Sequence, residues 1–189
     1  MEDIILVGFG GHGKSVADCI EREKRFRIAG YTDNKDQSCG YPYLGTDQEL
    51  FNYFEKGIKN AAVCVGYLGK GCVREKIFEK LKRIGFTLPV VKDPSAVVSS
   101  SARIGEGTFI GKGAVVNAGA YVGRMVIINS MALVEHECVL RDFSHIAVSA
   151  VLCGEVSVGR AAFVGANATV IQGMKIEPHQ IVPAGAVIR

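Results

Sequence analysis

The sequence has no basic run and no arginine-rich stripe, and its net charge is only +3, so nothing in it calls for a nucleic-acid partner. It has no apolar run of membrane-spanning length and no signal peptide. Ile4-Ile5-Leu6-Val7 is short, lacks a basic flank and runs straight into glycines. A cytoplasmic protein without membrane insertion is the expectation. Six cysteines (Cys19, Cys39, Cys64, Cys72, Cys138, Cys153) lack metal-ligand spacing and read as reduced thiols, mostly small core residues. Histidine is scarce. His12, His136, His145 and His179 are the four, and none has another four or five residues away. No metal site is expected.

What the sequence does have is a repeat. From Val98, every sixth residue through Ile188 is aliphatic, sixteen in succession without insertion or slip. The residue four places after each is mostly small, as at Ala102, Thr108, Ala114, Ala120, Ala132, Cys138, Ser144 and Ala150. Glycine often follows the aliphatic, as at Gly105, Gly111, Gly123, Gly159 and Gly165. A period of six fits neither a helix nor a hairpin array, and it is the mark of a parallel β-helix built from hexapeptides. Three hexapeptides close a triangular coil, so residues 18 apart stack, the aliphatics pile up inside, and glycine eases the sharp corners. Residues 94–189 hold about five such coils.

Residues 1–93 alternate strands and helices. Strands are expected at 4–7, 27–32, 61–65 and 86–91, with helices at 15–24, 47–54 and 73–84 and a glycine loop at 8–14, which together imply a small parallel sheet. Gly8, Gly10 and Gly13 match the dinucleotide fingerprint, with Asp33 twenty residues beyond Gly13. The domain has room for only half a doubly wound sheet, and a β-helix follows it, so NAD is disfavoured. The loop keeps its physical content, since bare N–H groups at a helix N-terminus receive phosphate. A nucleotide-diphosphate ligand fits that pattern, and so does a plain strand-to-helix turn. His12, flanked by glycines, has nothing local to pack on and is expected to face the cleft. Lys14 fits a phosphate contact and a solvated side chain equally well.

One turn of the repeat carries chemistry: Glu135-His136-Glu137-Cys138, followed by Arg141-Asp142-Phe143-Ser144-His145. His136 is two residues past its aliphatic, at a corner outside the core. An adjoining carboxylate fixes an imidazole's tautomer and stabilises its cation. Gly154 lies 18 residues on, one coil above on the same corner, where its N–H is expected to stand exposed beside the ring. A base beside a carbonyl-binding donor is the minimum for acyl transfer. Cys138, at an inward small position, is a poor nucleophile. A merely polar turn remains the plain alternative.

The order of these motifs resembles the bacterial sugar O/N-acyltransferases. It comprises Gly-Xaa-Gly-Gly-His-Gly after strand one, Asp33-Asn34 after strand two, Gly66 and Arg74 after strand three, then a hexapeptide β-helix bearing Glu135-His136-Glu137-Cys138-Val139, Phe143-Ser144-His145 and Cys153-Gly154. Within that family it is similar to the UDP-4-amino-sugar N-acetyltransferases of bacillosamine-type pathways and to sialic acid O-acetyltransferases. The resemblance implies a left-handed β-helix and a homotrimer, with acetyl-CoA between neighbouring prisms and a nucleotide sugar held by the N-terminal domain. It implies His136 as general base and Glu137 as the group that raises its basicity. His145, Gly154, Ala166 and Ala184 fall on the acetyl-CoA side. Gly10, Gly11, His12, Asp33, Asn34 and Gly66 fall on the sugar-nucleotide side. Relatives usually continue past the last coil into a tail over the CoA, whereas here Val182-Pro183-Ala184-Gly185 comes close to Arg189. A sugar hydroxyl as acceptor and a non-catalytic nucleotide-sugar-binding scaffold are the alternatives to amine acetylation.

Overall fold

A computed structural model describes residues 1–69 and 71–189, and the chain divides into two compact units. The first comprises Met1–Gly66 and Cys72–Val91; the second comprises Tyr67–Gly71 and Lys92–Arg189.

In the first unit, β1 (Glu2–Val7), β2 (Phe26–Thr32) and β3 (Asn60–Val63) form a parallel sheet in the order β2-β1-β3. Ile4, Ile5, Leu6 and Val7 are wholly buried in the central strand, as an unbroken apolar run in a parallel sheet requires. The helices are α1 (Gly11–Glu23), α2 (Leu50–Glu55) and α3 (Val73–Ile84). α3 turns Arg74, Phe78 and Leu81 inward and ends at Gly85, whose φ of 111° only glycine adopts easily.

Two expectations need correction here. The glycine loop is shorter than expected because α1 starts at Gly11 and so includes His12, Gly13 and Lys14. Glycine disfavours helix, but Gly13 sits where a Cβ would come 3.2 Å from the Gly8 carbonyl, so close packing selects it. The fourth strand, 86–91, reduces to one bridge between Asn60 and Thr87, followed by the two-residue strand Val91–Lys92. Pro89 has no N–H to continue a ladder.

The second unit is the left-handed β-helix, about five turns of two-residue strands from Val97–Val98 to Val187–Ile188. Every pairing joins residues 18 apart, as in Leu133↔Val151 and His145↔Phe163. The repeat aliphatics fill the interior, and all are buried except Val98, Ile104 and Ile188 at the ends.

Gly107, Gly113, Gly119, Gly173 and Gly185 hold the left-handed corner backbone as expected, but the glycines directly after the aliphatics serve another purpose. Gly105, Gly111, Gly123, Gly159 and Gly165 do not have positive φ. A Cβ on any of them would strike the next coil, for example 2.5 Å from Ala184 N above Gly165. The left-handed backbone falls two residues later, often on other residue types, such as Glu137 at φ 60° and Asn167 at φ 56°.

The three faces differ in their outward residues. One presents Val97, Val115, Leu133, Val151, Thr169 and Val187. A second presents Arg103, Tyr121, Val139, Ser157 and Lys175. The third presents Phe109, Ile127, His145, Phe163 and Ile181.

Candidate functional site

The first unit gathers its chemistry at the C-terminal edge of its sheet. Gly8 holds φ +85° with Val65 so near that a Cβ would meet it at 2.7 Å, and its N–H donates to the Thr32 carbonyl. Asp33 closes the loop, its carboxylate accepting from Phe9 N–H at 2.9 Å, Asn34 N–H at 2.7 Å and Gln37 Nε2 at 3.3 Å. Gly10, the N-cap of α1, and Gly11 have nothing within 4 Å of where a Cβ would stand, and no side chain caps the helix. Backbone N–H groups at the positive end of a helix are thus open to a close-approaching anion. The Gly66 Cβ position is 3.5 Å from His12 Cβ, which joins two residues 54 apart in sequence. A pocket of about 310 Å³ beside the loop is lined by Phe9, Lys14, Asp18, Gln37, Ser38 and Tyr41. Lys14 therefore borders a cavity. The aromatic wall was not legible in the sequence, because Phe9 and Tyr41 meet edge-on, 5.5 Å apart, only once the loop after β2 folds back.

In the second unit, stacking at an 18-residue interval puts Gly154 against His136. A Cβ on Gly154 would lie 2.5 Å from His136 Nε2, so only glycine admits the ring in this position. Glu155 N–H donates to the His136 carbonyl at 2.9 Å, tying the two coils at the same corner. Gly154 is buried rather than exposed, a correction with a simple cause: the imidazole itself covers it. Among the described residues no acceptor takes the Gly154 N–H.

The two carboxylates beside His136 divide their work. Glu135 Oε2 accepts the His136 backbone N–H at 3.1 Å, which fixes the corner. Glu137 Oε2 stands 3.7 Å from His136 Nδ1, close enough for charge to act though beyond a hydrogen bond. Cys138 is buried, its Sγ toward the Cys153 carbonyl, and burial pushes its thiol up to about 11, which leaves it a poor nucleophile.

The remaining residues of this unit lie elsewhere on the prism. Ala166 and Ala184 stack at a neighbouring corner, where Gly185 N–H donates to the Ala166 carbonyl at 2.8 Å. His145 is on the face leading to that corner and is only 6% exposed. It lies beneath Tyr67, with Nδ1 2.6 Å from the Tyr67 carbonyl and its ring edge-on to Phe163. One chain therefore does not bring His136 to Ala166 and Ala184, because their spacing is not a multiple of 18. Nothing in the sequence near His145 announces its cover, 78 residues upstream. Among the described residues no cluster of His, Cys, Asp or Glu is suited to hold a metal, and no helix is long and apolar enough to cross a membrane.

A left-handed β-helix with an imidazole laid on a glycine at an outer corner, flanked by carboxylates, has the build of a hexapeptide acyltransferase. Comparison with known proteins narrows the class. Residues 3–81 match the model of the PglD N-terminal domain. The chain is 34% identical to a histidine-to-asparagine variant of perosamine N-acetyltransferase from Caulobacter crescentus, solved with CoA and GDP-perosamine. That match covers 100% of this chain and 89% of that one, with a TM-score of 0.94. It is equally 34% identical to the acetyltransferase domain of PglB from Neisseria gonorrhoeae FA1090, covering 100% and 92%, with a TM-score of 0.93. A UDP-N-acetylbacillosamine N-acetyltransferase from Bacillus subtilis (strain 168) is 35% identical over 112 residues, and the match spans 58% of this chain and about half, 51%, of that protein. The chain belongs to the hexapeptide family of sugar N-acyltransferases.

Proposed function

We propose that this protein transfers the acetyl group of acetyl-CoA to the amine of a UDP-linked 4-amino sugar, with His136 as general base and no metal. The observation that carries this is the imidazole packed on Gly154. It puts a proton acceptor and an unengaged backbone N–H side by side at one outer corner. The amine attacks the thioester carbonyl carbon, and His136 takes its proton as the C–N bond forms. Gly154 N–H meets the developing oxyanion, and CoA leaves as the thiolate. Glu137, 3.7 Å away, favours the imidazolium that forms. No acyl-enzyme is involved, in keeping with the burial of Cys138.

Gly10, Gly11 and His12 hold the diphosphate and sugar, Asp33 and Asn34 the uridine side, and Gly66 the sugar; the open approach over Gly10 and Gly11 supports this. Ala166, Ala184 and His145 line the acetyl-CoA arm. The working form is a cytoplasmic homotrimer. Its support is the outward column of Val115, Leu133 and Val151, the most apolar of the faces open at the surface. That face runs from the His136 corner to the Ala166 and Ala184 corner. With three such faces turned to one axis, His136 of one subunit meets the alanine corner of the next, and the chemistry that one chain separates is reunited.

The test is thiol release from acetyl-CoA with UDP-4-amino sugars, GDP-4-amino sugars and sialic acid as acceptors. Turnover with the UDP-linked amine that falls at least about a hundredfold in His136→Ala is the expected outcome. Activity retained in that variant would sink the mechanism. Turnover confined to a hydroxyl acceptor or a GDP-linked amine would sink the acceptor assignment.

A further inference from the structure

The Tyr67–Gly71 segment belongs to the β-helix unit although it lies, in sequence, between β3 and α3. Its hold on that unit is specific. Tyr67 Oη donates to the Ala161 carbonyl at 2.7 Å. Gly69, at φ +81°, sits where a Cβ would come 2.6 Å from Ile181 Cγ1, so no larger residue could lie as close. Between these anchors the Tyr67 carbonyl faces His145 Nδ1 at 2.6 Å. A carbonyl only accepts, so Nδ1 carries a proton.

The opposite edge of the ring agrees. Asn129 Oδ1 accepts the Ser130 N–H at 2.8 Å, which turns the amide nitrogen of Asn129 toward His145 Nε2 at 3.4 Å. An amide nitrogen only donates, so Nε2 is the lone-pair nitrogen. Two independent neighbours thus specify the same neutral tautomer, in a ring that is 6% exposed.

We infer that Tyr67 is a positioning residue for His145: anchored through its hydroxyl, its carbonyl locks the imidazole as the Nδ1–H tautomer so that Nε2 presents an acceptor. The inference rests on the placement of His145 beside acetyl-CoA. It changes what His145 does there. A ring held in this way cannot donate to the thioester carbonyl, which leaves that task to the Gly154 N–H. It accepts from an N–H on the ligand, and on acetyl-CoA the donors of that kind within reach of a thioester are the amides of the pantetheine arm. The long 3.4 Å contact with Asn129 is weak enough to yield to such a donor.

The experiment uses the full chain in four forms, wild type, Tyr67→Phe, Gly69→Ala and His145→Asn, with the His145 ring nitrogens labelled in the first three. Long-range nitrogen–proton correlation reads the tautomer directly. Wild type is expected to show the Nδ1–H pattern. Tyr67→Phe and Gly69→Ala are expected to show a mixture of tautomers, with KM for acetyl-CoA raised about tenfold and kcat within about twofold, the signature of one lost ground-state hydrogen bond. His145→Asn keeps a donor for the Tyr67 carbonyl and lacks the Nε2 acceptor, so it too should raise KM and spare kcat. An Nε2–H pattern in wild type would overturn the inference. So would an unchanged KM in His145→Asn, which decides the matter even if both strap variants fail to fold. If wild type releases no thiol with any acceptor, the acetyltransferase proposal fails on its own. The tautomer then still decides whether Tyr67 positions the ring.

Discussion

At the scale of single residues, Gly154 is the position on which the proposed chemistry turns. Its missing side chain is the space the His136 ring occupies. Gly154→Ala forces the imidazole off the corner, and that ring belongs to a side chain 49% exposed, so it has room to turn away and the coil itself need not shift. The expected outcome is a loss of at least about a hundredfold in kcat with Tm within a few degrees of wild type, measured by thiol release and calorimetry. The cysteines make a second prediction. Cys64 is pushed up to about 12 by burial and Cys138 to about 11, while Cys72 is exposed. Under native conditions at pH 8, alkylation followed by mass spectrometry should mark Cys72 and spare Cys64 and Cys138. The Gly154 stack was legible in the sequence because a rigid 18-residue period turns addition into geometry. The Tyr67 carbonyl on His145 was not, since no repeat connects residues 78 apart and a main-chain acceptor leaves no trace in residue type.

At the scale of elements, the repeat fixed the coil because each aliphatic has one place to go, and wherever the register is that strict the sequence speaks for itself. It was silent where two local rules compete. Residues 86–91 have the apolar texture of a strand, but Pro89 removes a donor and leaves only the Asn60 to Thr87 bridge. The start of α1 was hidden because glycine is a poor helix former, and only the packed structure shows Gly13 pressed on the Gly8 carbonyl. Corner chemistry adds a testable electrostatic element. Asp142 Oδ1 accepts the Arg124 backbone N–H at 2.8 Å, and its Oδ2 meets the Arg124 guanidinium at 2.8 Å, with Arg160 at 3.9 Å. Burial alone would raise this carboxyl, but the Arg124 hydrogen bonds and the two guanidinium charges outweigh it and hold it below the usual 3.8. A carboxyl depressed in the fold contributes stability that is full above its unfolded value and fades as pH falls through the folded one. Asp142→Asn should therefore cost about 1 kcal/mol at pH 7. The difference from wild type should shrink steadily below about pH 4, as denaturant midpoints across pH would record.

At the scale of the whole molecule, the three prism faces have three fates, and their outward residues state them. The face of Phe109, Ile127, His145 and Phe163 is occupied by Tyr67 and Gly69 from the same chain. The face of Arg103, Tyr121 and Lys175 is polar enough to stay in water. The face of Val97, Val115, Leu133, Val151, Thr169 and Val187 has no charge, with Val97 and Val187 64% and 54% exposed at its ends. In the proposed trimer this apolar strip is the interface, since three copies around an axis close without leaving an open end. Leu133→Glu places a carboxylate in the middle of that strip, and around a threefold axis it brings three like charges together where water is excluded. Burial of an unpaired carboxylate costs several kcal/mol per chain, more than a single Leu contact contributes. Sedimentation should find wild type as a three-chain particle and Leu133→Glu as a single chain whose circular dichroism is unchanged, because each coil is closed by its own chain. Activity should disappear with the assembly, since His136 and the Ala166 and Ala184 corner then never meet. A single-chain Leu133→Glu that still acetylates at the wild-type rate would place the whole site within one subunit and refute the shared arrangement.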